Sequence, residues 1–93
     1  MTRRSRMEIL VDILKAVDQG KQKPTHIMYT TNMCWNRMRM QLDFLTMQEM
    51  LVSTQVNGNT LYTITPKGKE ILEYFTKIEG EIYHNKRALA TAS

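Results

Sequence analysis

Met7, Leu10, Ile13, Leu14 and Val17 fall three or four residues apart, the repeat of one helical face. Ser5 and Glu8 stand ahead of that run as a capping-box pair, and Gly20 lies just past it, where a C-terminal glycine ends a helix. A first helix over about residues 6–19 follows, with Thr2 to Arg4 as a short basic arm before it and Lys21 to Pro24 as a polar link after it. Thr25 is placed to cap a short second helix reaching Thr31, which buries Ile27 and Met28. Asn32 and Met33 turn the chain, and Cys34 takes the cap position of a third helix from Trp35 to about Gln48. Its buried stripe is Trp35, Met38, Leu42 and Leu45, while the other side carries Asn36, Arg37, Arg39, Met40 and Asp43. Two helices joined by so short a turn predict a helix-turn-helix.

The period then changes from helical to alternating. Leu51 to Val56 and Thr60 to Ile64 are β-rich runs separated by Asn57-Gly58-Asn59, and Asn-Gly favours the positive φ of a hairpin turn. A hairpin directly after a helix-turn-helix is a wing. Thr65-Pro66 opens the last helix, a cap followed by proline at the first helical position, and that helix runs toward Ala90. Along it Ile71, Phe75, Ile78, Ile82, Asn85 and Leu89 recur at alternating spacings of four and three, a heptad seam with one polar member. Ile71 and Phe75 also suit the core of the domain, but Ile82 and Leu89 lie beyond its reach. Twenty-five helical residues span about 37 Å, longer than so small a domain needs. Gly80 weakens this helix by about 1 kcal/mol relative to alanine, which makes it the natural point for a kink.

Ninety-three residues make one folding unit with a thin stability margin, and association with a second copy would widen it. The chain divides into a winged helix-turn-helix over residues 1–65 and a dimerisation helix over 66–93. Charge sharpens the picture: residues 1–40 hold eight basic side chains against three acidic, whereas residues 41–93 hold five against six. An excess gathered in one half reads as a surface facing a polyanion. Cys34 is the single cysteine, which excludes an internal disulfide and cysteine-rich zinc sites. His26 and His84 are far apart and lack matched ligands, so neither metal nor cofactor is expected, and no constellation points to an enzyme. Cys34 and Trp35 read as core residues, and the methionines as core filling. No signal peptide and no membrane-spanning run is apparent, consistent with a protein of the cell interior.

Thr25-His26-Ile27-Met28-Tyr29, Leu42-Asp43-Phe44-Leu45 and Thr65-Pro66-Lys67-Gly68-Lys69, with the opening Arg6-Met7-Glu8-Ile9-Leu10, resemble the ten-kilodalton winged-helix DNA-binding proteins of crenarchaeal chromatin. The resemblance spans roughly residues 4–80. It implies a homodimer joined by an antiparallel coiled coil of the last helices, general binding of double-stranded DNA in the nucleoid, and a third helix that serves for recognition. Two positions depart from the family: Glu49 stands where glycine is usual, and Met38, Met40 and Met47 replace long aliphatic or charged residues.

Candidate DNA contacts follow. Asn36, Arg37, Arg39 and Met40 lie on the exposed front of the third helix, where arginine forks onto guanine or phosphate and asparagine onto adenine. Arg3, Arg4 and Arg6 suit a backbone-tracking or minor-groove arm, or a plain basic tail. Lys21 and Lys23 precede the second helix, whose N-terminus attracts phosphate. Lys67 and Lys69 flank the start of the last helix. Three alternatives stay open on these residues: a sequence-specific transcription regulator, a protein-interaction module using the long helix, and RNA as a partner.

Overall fold

Ser5 closes the start of the first helix as its spacing to Glu8 predicts. The Ser5 hydroxyl accepts the Glu8 N–H at 3.1 Å, and the Glu8 carboxylate accepts the Ser5 N–H at 3.5 Å. The computed structural model describes the backbone of residues 5–92 and the side chains of residues 5–80. The elements run α1 (Arg6–Asp18), α2 (Pro24–Thr31), α3 (Trp35–Met47), β1 (Leu51–Val56), β2 (Asn59–Ile64) and α4 (Pro66–Ala92). Pro24 stands at the first position of α2 and Lys23 caps it with no side-chain hydrogen bond, so Thr25 lies inside the helix rather than capping it. Proline's fixed φ starts the helix one residue before the threonine.

The core forms around α1, which contacts α2, α3, α4 and β2. Ile13, Leu14, Ile27, Met38, Leu42, Leu45 and Leu51 are almost solvent-free. Burial of each contributes about 1.5–3 kcal/mol, more than the propensity terms of these short helices, so packing sets how α3 is presented. The buried face of α1 is wider than one stripe and includes Ile9, Val11 and Ala16. Met7 is 50% exposed and Trp35 44% exposed, against the expectation that both belong to the core. Both stand in the first turn of a helix. A Cα–Cβ bond tilts toward the helix N-terminus, which carries such side chains off the end of the packed layer. Cys34, one residue before α3, is likewise exposed rather than buried.

The hairpin pairs Leu51 with Ile64 through Val56 with Asn59. Its turn is therefore two residues, Asn57 and Gly58, with φ of 51° and 80°, and Asn59 belongs to the strand. Positive φ at both positions is the type I′ requirement.

The corner between α3 and β1 orders the rest. Glu49 N–H donates to the Thr46 carbonyl at 3.0 Å and Met50 N–H to the Leu45 carbonyl at 2.9 Å, a Schellman ending with Glu49 at φ 61°. This left-handed position explains the glycine usual there, and the corner is built with glutamate all the same. The Thr65 hydroxyl donates to the Glu49 carbonyl at 2.6 Å and accepts the Gly68 N–H at 3.0 Å. Gly68 lies so close to this corner that an added Cβ would overlap the Met50 carbonyl oxygen. Thr65-Pro66-Lys67-Gly68 is thus both the cap of α4 and its docking point. Leu72 of α4 joins the core, with Phe75 packed against it, and α4 continues through Gly80 as one helix of 27 residues.

Candidate nucleic-acid interface

At 100° per residue, Met38, Leu42 and Leu45 point α3 inward, which places Asn36, Met40, Asp43 and Met47 along the centre of its outward face. All four are exposed, Met40 at 69% and Met47 at 79%. Arg39 and Arg37, also exposed, form the two shoulders of this stripe. Met47 was missing from the sequence-based set. Extending the spacing from Asn36 by four, three and four residues would have found it.

Lys21 and Lys23 are exposed on the link before α2. Between them the Gln22 carbonyl accepts the Tyr62 N–H at 2.9 Å, which ties this basic link to β2 of the wing. Tyr62 is buried, and its phenol pKa is raised by that burial first and by the Asp43 carboxylate second, with Arg39 opposing.

Other candidates stand on neighbouring elements. The Arg6 guanidinium carbon lies 4.6 Å from the centroid of the Phe44 ring, a cation–π contact on the α1 side of α3. Lys67 Nζ donates to the Gln48 carbonyl at 2.8 Å and so satisfies the end of α3. Lys69 is exposed on the first turn of α4. Arg3 and Arg4 lie outside the described residues.

A second surface forms where α1, the end of α3 and α4 meet. Met7, Leu10, Phe44, Ile71, Tyr74 and Phe75 line an apolar groove of about 460 Å³, with Glu70 at its margin. Lys15 meets Glu79 at 3.4 Å, a further contact between α1 and α4. Ile71, Phe75 and Ile78 of the seam are half-buried, while the side chains of Ile82, Asn85 and Leu89 lie outside those described. No helix among the described residues is long and apolar enough to cross a membrane.

A crystal structure of Sso10a-2, a DNA-binding protein from Sulfolobus solfataricus, is similar over 94% of both chains, with 28% identity and a TM-score of 0.71. BpsR of Bordetella bronchiseptica, whose DNA binding is regulated by 6-hydroxynicotinic acid, superposes with a TM-score of 0.76 over 83% of this chain and 58% of its own. At 17% identity that likeness speaks for the fold alone. MJ0290 of Methanocaldococcus jannaschii is 34% identical over 84 residues, 90% of this chain, which spans only 38% of that relative's length. The family model described as winged helix-turn-helix matches residues 3–82, from the basic arm through most of the described α4. The chain belongs to the winged helix-turn-helix family.

Proposed function

We propose that this protein binds double-stranded DNA as a homodimer in the archaeal nucleoid, with α3 in the major groove and phosphate contacts supplying most of the affinity. The observation that carries the reading is the segregation of charge. From residue 21 to residue 47 the chain holds four basic side chains, all exposed, against the single acid Asp43. Glu8, Asp12, Asp18, Glu70, Glu73 and Glu79 stand instead on α1 and α4, where Arg6, Lys15, Lys67, Lys69 and Lys77 nearly balance them. Duplex DNA carries one negative charge per ~1.7 Å, so a face of this sign gains affinity by releasing counterions. The similarity to Sso10a-2 over nearly the whole of both chains supports the same partner.

The homodimer rests on α4. Beyond Glu79 it runs thirteen more residues, past the end of α1. Ile71, Ile78, Ile82 and Leu89 are spaced symmetrically about Gly80 in the sequence. Two antiparallel copies crossing at that glycine match Ile71 with Leu89 and Ile78 with Ile82.

Titration of several unrelated duplexes at low and moderate salt tests the partner. Comparable binding of all of them, weakening steeply with salt, supports the proposal. No binding at low salt removes DNA and leaves a protein-interaction module as the better reading.

A further inference from the structure

The centre of α3's outward face holds an amide, a carboxylate and two thioethers, but no cation. A stripe of this composition is poorly suited to phosphate: Asp43 would repel it and Met40 offers it nothing. Base edges in the major groove are different. An A·T pair presents a thymine 5-methyl group, which G·C lacks, and the stripe supplies an apolar surface beside an amide that matches adenine, while the Asp43 acceptor suits the amino donor of adenine or cytosine alike. Guanine's acceptors, O6 and N7, find no cationic donor along the centre line. The arginines stand on the shoulders, where the groove walls carry the phosphates.

Resting on the DNA-binding reading above, we infer that Met40 is a base-reading residue that packs on thymine 5-methyl groups, so that the protein favours A·T pairs in the major groove. Met40 is the apolar residue best placed for this. It is 69% exposed and lies one turn after Asn36 on the same line, in the N-terminal half of the helix, the half that meets base edges in helix-turn-helix complexes. Met47 is seven residues further on, about 10 Å along the axis and at the helix end. Its flexible, polarizable side chain lets methionine follow a methyl group without a preformed pocket.

The test is binding to duplexes that differ only in thymine or deoxyuridine. The exchange removes the 5-methyl group and leaves base pairing and charge intact. Covering one methyl group is expected to favour the thymine duplex about fourfold, from ~0.8 kcal/mol per buried carbon at ~1.4 kcal/mol per tenfold. Met40→Ser should bind both duplexes equally, near the affinity of the unmodified protein for the uridine duplex, while Met40→Leu should keep the preference. Met47→Ser should keep it too. Because Met40 is exposed, the helical signal of its variants is expected to stay unchanged. Equal binding of the two duplexes by the unmodified protein overturns the inference, as does a preference that survives Met40→Ser. Failure to bind either duplex at low salt instead overturns the DNA-binding reading on which it rests.

Discussion

At Glu49 the backbone holds a left-handed conformation, φ 61°, that costs an L-residue roughly 1–2 kcal/mol and costs glycine almost nothing. Glycine returns part of that gain through the greater freedom of its unfolded chain. Glu49→Gly is therefore expected to stabilise the protein by about 0.5–1 kcal/mol, raising the thermal midpoint by several degrees. Circular-dichroism melting reads the shift, and an unchanged or lower midpoint would show that the Glu49 side chain makes a compensating contact. The sequence alone registers glutamate where glycine is usual, because a Schellman ending is a property of the hydrogen bonds from Glu49 and Met50 back into α3. Gly68 is a similar case. It reads as one more residue of a helix start, and its necessity lies in the Met50 carbonyl, eighteen positions away in the chain. Trp35 and Met7 fit their apolar stripes by spacing, yet both lean off helix ends, and a periodic pattern does not register where a helix stops being covered.

Among the elements, Tyr62 of the wing feels the charges of Asp43 and Arg39 on α3. Its phenol pKa lies above the ordinary tyrosine value because burial and Asp43 favour the neutral form. With the folded pKa above the unfolded one, the associated stability is complete below about pH 10 and is lost as pH rises through the folded value. Urea unfolding between pH 8 and 11.5 should show the wild type weakening more steeply above pH 10 than Tyr62→Phe, which has no phenol to ionise. Parallel declines would mean that Tyr62 titrates alike in both states. The elements themselves were largely legible: the capping box at Ser5, Pro66 after Thr65 and the Asn57-Gly58 turn are local signals, and each stands where its chemistry predicts. The start of α2 was not, because two local signals compete at Pro24 and Thr25 and the proline prevails. Arg37, Arg39, Asn36 and Met40 follow from helical geometry. The uses of Arg6 and Lys67 do not, since Phe44 and Gln48 are distant in sequence and only folding brings them near.

For the whole molecule, the proposed homodimer rests on the long reach of α4. Ile82→Glu places a charge on the seam outside the winged core. Sedimentation should then report a monomer that keeps its helical signal, and a variant that stays dimeric would put the interface elsewhere. Neither the groove nor the charge segregation belongs to any single element: the exposed Lys21 and Lys23 stand before α2 and the exposed Arg37 and Arg39 on α3, the surface proposed to face DNA. That surface carries the central claim, binding driven mainly by phosphate contacts. Its most direct measurement is the dependence of affinity on salt for the wild type, Arg37→Ala and Arg39→Ala, each titrated against several unrelated duplexes at three salt concentrations. The expected result is a steep linear decline on logarithmic axes, each substitution weakening all duplexes by similar factors and lowering the slope by about one unit. A duplex bound a thousandfold tighter than the others, with that preference vanishing in Arg37→Ala, would contradict this account and identify a sequence-specific regulator.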